Sequence, residues 1–143
     1  MNSRSYRDLE VWQKGMDVVV ECYRATRNFP ETEIYGLTSQ LQRAAVSVPA
    51  NIAEGQGRQH TAEFIQHLSI AYGSLAELET HIEIAQRLAY ISSEDAQNIL
   101  AQTSTVGRLL NGLLRSLRNS QLSSNGPRPP ITDHRLPTTD YRS

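Results

Sequence analysis

YGLTSQLQRAAVSVPANIAEG, from Tyr35 to Gly55, is the stretch whose reading decides the fold. Leu37, Leu41, Ala44, Ala45, Val48 and Ile52 recur at a period near 3.6, which is one apolar face of a helix. Pro49 falls inside that pattern. A proline there removes one backbone hydrogen bond and crowds the preceding turn, at a cost of roughly 3 kcal/mol. The spacing therefore predicts a helix kinked at Pro49, with Gly55 and Gly57 free to form left-handed caps at its end.

Three more helices frame it. Helix 1 is expected from about Arg7 to Arg27, opened by a Ser5/Asp8 capping box, with Leu9, Trp12, Met16, Val19, Val20 and Tyr23 as its inner stripe. Helix 3 is expected from Thr61 to about Leu88. Its seam of Phe64, Leu68, Ala71, Leu75, Leu78, Ile82, Ala85 and Ala89 steps by fours and threes, as helices packed in a bundle do. Ser92 and Ser93 ahead of Glu94 and Asp95 open helix 4, lined by Ile99, Leu100, Thr103, Val106, Leu110, Leu113 and Leu117. Short connections between four helices predict an all-α, up-down-up-down four-helix bundle over residues 1–118. Residues 119–143 hold four of the six prolines and few large apolar groups, and are expected to form a disordered tail. Leu109 and Leu114 widen the stripe of helix 4 beyond one seam, so part of it is expected to meet another subunit, the alternative being that it packs against two neighbours of its own bundle.

Composition narrows the function. The net charge of -1 exerts no global pull toward nucleic acid or anionic membrane. The one cysteine, Cys22, forms no internal disulfide and reads as a buried structural thiol. The longest aliphatic run, Val18 to Val20, is closed by Asp17 and Glu21, so no membrane segment and a cytoplasmic location are expected.

Chemistry on such a bundle usually needs a carboxylate-bridged metal pair, built in part from Glu-x-x-His. Glu63/His67 and Glu77/His81 are spaced four apart instead, and read as solvated-face groups. Ser39, Ser47, Ser69 and Ser74 have no adjacent base. No catalytic residue, cofactor or metal is expected.

The remaining candidate is a polyanion surface. Of 14 basic residues only Lys14 is lysine, and arginine suits fixed bidentate contacts. Arg7, Lys14, Arg24, Arg27, Arg43 and Arg58 are the expected phosphate contacts, while helix 3 is acidic through Glu63, Glu77, Glu79 and Glu83. Gln40, Asn51 and Glu54 are expected as a structural polar cluster around the Pro49 defect, with ligand binding as the other use of such a group.

Five blocks carry a family resemblance: YRDLEVWQK at 6–14, FP at 29–30, GLTSQL at 36–41, RAAVSVP running into NIAEGQGR at 43–58, and GSLAELET at 73–80. Through them the chain resembles the proteins encoded in intervening sequences of bacterial 23S ribosomal RNA genes. The accessory variability-determinant proteins of diversity-generating retroelements resemble the same family. The resemblance implies a bundle assembling as a homopentamer. From the retroelement members it implies RNA or DNA binding, with a reverse transcriptase as partner. Gln42, His67 and Tyr72 stand where relatives tend to have an arginine, an aromatic and a basic residue. The expected function is a non-enzymatic scaffold that binds nucleic acid; the alternative is a protein-binding adaptor without that affinity.

Overall fold

A computed structural model of the chain describes residues 5–123. Helix α1 spans Glu10–Thr26, α2 Leu37–Gln56, α3 Thr61–Arg87 and α4 Ser93–Ser123. Each packs on its neighbour in sequence and α4 closes onto α1, while the diagonal pairs stay apart. That is the up-down-up-down square expected of short connections. No strand occurs among the described residues.

Pro49 sits inside α2 and is buried, and the helix runs through it. The ring meets α1 at Gly15, where an added Cβ would lie 3.6 Å from the Pro49 Cβ and 3.7 Å from its Cδ. Those are ordinary contact distances, so the proline packs over Gly15 with room for a methyl group. The seam of α3 is buried as the heptad spacing requires, from Phe64 through Ala85.

Several expectations change. Ser5 accepts from the Arg7 N–H, but it caps a separate 3-10 turn at Tyr6–Asp8, and the extended Leu9 divides that turn from α1. The buried face of α1 is Val11, Gly15, Val18, Cys22 and Thr26. Of the expected stripe, Leu9 is buried, Trp12 and Val19 are half-buried, and Met16, Val20 and Tyr23 are exposed. The wide face of α4 is used within the chain: Leu113, Leu114 and Leu117 are buried and Leu109 is packed against the core. Two neighbours, α1 and α3, cover it. Uncovered apolar surface lies on α1 and α3 instead.

The caps also exchange places. Gly57 ends α2 in a right-handed conformation (φ −79°), and no described glycine has positive φ. Gly55 is required by proximity: an added Cβ would fall 2.7 Å from the His67 Cβ and 2.9 Å from the Phe64 Cδ1. The left-handed residue is Ala89 (φ 63°), beyond the end of α3 and exposed, where the seam was expected to continue. There the Ala89 and Tyr90 N–H groups donate to the Gln86 and Ala85 carbonyls. This closes α3 by the hydrogen-bond pattern in which glycine is usual. Helix α4 begins as expected, with the Asp95 N–H donating to Ser92 Oγ at 3.0 Å, and continues to Ser123, five residues past the expected boundary. The remainder of the expected tail, 124–143, lies outside the described residues.

Candidate nucleic-acid interface

All six expected phosphate contacts are exposed. They do not form one patch. Arg24 and Arg27 flank a groove at the C-terminal end of α1, lined by Val19, Val20, Tyr23 and Val46. Arg43 lies one turn before Val46 on the exposed side of α2. Arg7, in the turn before α1, and Arg58, beyond α2, sit at the opposite end of the bundle, more than about 20 Å away at 1.5 Å per residue. Lys14 is rotated roughly 140° around α1 from Arg27, at about 100° per residue.

Their partners differ as well. Arg24 is paired with Glu21 and Arg58 with Glu54, each at 2.9 Å, both exposed pairs within a helical turn. Such pairs contribute little and yield readily to a stronger anion. The Arg7 guanidinium lies over the Tyr6 ring, 4.8 Å from its centre. Lys14, Arg27 and Arg43 make no hydrogen bond or ion pair among the described residues. Those three are the charges a polyanion would meet unneutralised.

Gln40, Asn51 and Glu54 do not form one cluster. Gln40 is exposed near the start of α2 and Glu54 is turned to Arg58. Asn51 alone joins a network. Its Nδ2 donates to the Ser47 carbonyl at 2.9 Å and to Ser47 Oγ at 3.1 Å, and Ser47 Oγ lies 2.7 Å from Ser74 Oγ on α3. The Asn51 Oδ1 faces His67 Nδ1 at 3.2 Å. An amide oxygen only accepts, so His67 carries its proton on Nδ1. The network ties α2 to α3 beside the close approach at Gly55.

Gln42, His67 and Tyr72 each bridge two helices in this chain. Gln42 Nε2 donates to Thr26 Oγ1 at 3.0 Å, joining α2 to α1. His67 completes the Asn51 network, and the Tyr72 hydroxyl accepts from Asn111 on α4 at 3.4 Å.

Sequence reasoning missed two further features. His81, expected on a solvated face, is buried, with Nε2 3.4 Å from Glu77 Oε2. Its Nδ1 and the Thr38 Oγ1 are buried without a hydrogen-bond partner. At the bundle end, Glu33 accepts from the Leu37 N–H and from the Tyr90 hydroxyl, each at 3.0 Å, so a side chain outside α2 caps it. The Tyr90 hydroxyl is held above its ordinary pKa by that bond to Glu33. An added Cβ at Gly36 would lie 2.8 Å from Glu33 Oε1, so the glycine leaves room for this carboxylate.

No group of three or more His, Cys, Asp or Glu side chains that could hold a metal ion occurs among the described residues. No helix among them is long and apolar enough to cross a membrane.

The fold and this surface define an all-helical bundle protein with exposed arginines and an open apolar flank. The profile of the 23S rRNA-intervening sequence protein family matches residues 7–112, and the chain belongs to that family. Among solved structures it is similar to a protein of unknown function from the S23 ribosomal protein family of Bacteroides thetaiotaomicron. The two are 28% identical with a TM-score of 0.67, over 73% of this chain and 98% of the other. No curated protein matches it.

Proposed function

We propose that the protein is a non-enzymatic, cytoplasmic scaffold that assembles with copies of itself into a homopentamer and binds nucleic acid through its Arg-bearing helix faces. The observation that carries this reading is the flank of α1. Met16, Val20 and Tyr23 are 38%, 45% and 45% exposed and Val46 on α2 is 41% exposed, an apolar strip open to solvent. Strips of this kind mark association surfaces. Phosphate contacts are drawn from Arg7, Lys14, Arg24, Arg27, Arg43 and Arg58. One chain spreads these charges over both ends of the bundle and carries a net charge of -1, so a single copy binds weakly. A ring repeats each arginine around an axis and strengthens the local field. The likeness to the retroelement accessory proteins adds a reverse transcriptase as a candidate partner.

Labelled RNA and DNA titrated at two salt concentrations test the nucleic-acid half. Binding that falls steeply with salt is expected, and no binding at low salt removes it. The second reading, a protein-binding adaptor without nucleic-acid affinity, draws on Tyr35, 96% exposed in the α1–α2 connection. Recovery of a protein partner after nuclease treatment, with no RNA or DNA affinity, would favour it.

A further inference from the structure

The self-association proposed above leaves open which surfaces make it, and two uncovered apolar arcs answer that. The first is the α1–α2 flank, an open groove of about 460 Å³ lined by Val19, Val20, Tyr23 and Val46 with Arg24 and Arg27 on its rim. The second runs along α3, where Ile70, Ile84 and Leu88 are 46%, 41% and 51% exposed and Glu77 stands between them. At about 100° per residue, Ile70, Glu77, Ile84 and Leu88 fall within roughly 40° of one another around α3. They lie just outside Ser74 and His67, the residues that meet α2.

The arcs therefore occupy adjacent sides of a four-cornered bundle and share α2 as their corner. Adjacent sides of a square face about 90° apart, and joining one to the other in successive copies turns the series back on itself; five-fold closure needs about 108°. The chemistry of the two sides also differs in sign. Arg27 on the first has no partner among the described residues, while Glu77 on the second is exposed and held only by a 3.4 Å contact to His81. Joining the first side to itself would gather arginines. Joining it to the second sets the unpaired Arg27 toward Glu77.

Heights agree too. In a ring every copy sits at the same level along the axis. Gly15 against Pro49 and Gln42 with Thr26 set α1 against α2, and Ser47 with Ser74 and Asn51 with His67 set α2 against α3. Carried across these contacts, Met16 is level with Ile70, Tyr23 is level with Glu77, and Arg27 lies about one helical turn away.

We infer that copies of the chain join head to tail, the α1–α2 side of one seated on the α2–α3 side of the next, with α2 turned toward the ring axis. Arg24 and Arg27 then belong to the subunit contact. Arg43, on the outer side of α2, is repeated around the axis and becomes the principal phosphate contact.

The test uses two full-length variants, each spoiling one side at exposed positions: Val20→Glu with Arg27→Glu, and Ile84→Lys with Glu77→Lys. Circular dichroism checks that each keeps its helicity, and sedimentation velocity reads assembly. The wild type is expected as a closed oligomer and each variant alone as a monomer. Mixed together they should give a 1:1 dimer and nothing larger, because each retains one good side. If both variants still form the wild-type oligomer, or if only the first loses it, the head-to-tail assignment is wrong while the scaffold reading stands. A mixture that stays monomeric overturns it equally. A monomeric wild type sinks the scaffold reading itself.

Discussion

Replacing Gly55 by alanine separates close packing from helix propensity. The new methyl would lie 2.7 Å from His67 Cβ, a backbone-anchored atom, and 2.9 Å from Phe64 Cδ1, in a ring that is fully buried. Reaching ordinary contact requires α2 and α3 to part by about 0.7 Å, at the level where Asn51 and His67 already sit 3.2 Å apart. Overpacking of this kind costs about 2–3 kcal/mol, and the gain in helix propensity returns about 1 kcal/mol. Gly55→Ala should therefore lose about 1–2 kcal/mol. Gly15→Ala is the control: its Cβ would meet Pro49 and Val48 at 3.6–3.7 Å, ordinary contact, so the same substitution should be neutral or gain up to about 1 kcal/mol. Urea unfolding at one fixed protein concentration measures both, because association would otherwise shift the midpoints. If Gly55→Ala proves as stable as Gly15→Ala, the close approach of α2 and α3 is not what keeps a glycine at 55.

Ala89→Gly should raise stability by about 1 kcal/mol, since it removes the left-handed penalty at φ 63° without touching the core; an unchanged midpoint would count against that cap. Burial pushes the Cys22 thiol up to about 12, with Glu21 adding to it. Its folded pKa lies above its unfolded value, so its contribution is complete below about pH 8.5 and declines by about 1.4 kcal/mol per pH unit above it. Cys22→Ala should flatten that alkaline limb, and thiol reagents at pH 8 should label Cys22 only as fast as the protein unfolds. Arg43→Glu should weaken RNA or DNA binding and its salt dependence while leaving the oligomer intact, as anisotropy and sedimentation on the same sample would show.

The sequence by itself determined the four helices, because apolar period and polar punctuation are properties of each segment alone. It determined the α3 seam for the same reason, since two neighbours converge on that helix and bury a single heptad stripe. It could not choose between the two apolar arcs of α1. Trp12, Met16, Val19, Val20 and Tyr23 are the larger side chains, yet Val11, Gly15, Val18 and Cys22 face the core. Hydrophobicity ranks side chains by size, whereas the face that packs is the one whose side chains fit the space between helices, here the small Gly15 and Cys22 and not the larger Met16 and Tyr23. The tertiary structure alone decided that the surplus apolar surface lies on α1 and α3, because α4 has two partners within its own chain to cover it. It alone separated the six basic residues, since equal charges on neighbouring helices fall on different sides according to rotation, which a list of residues does not contain.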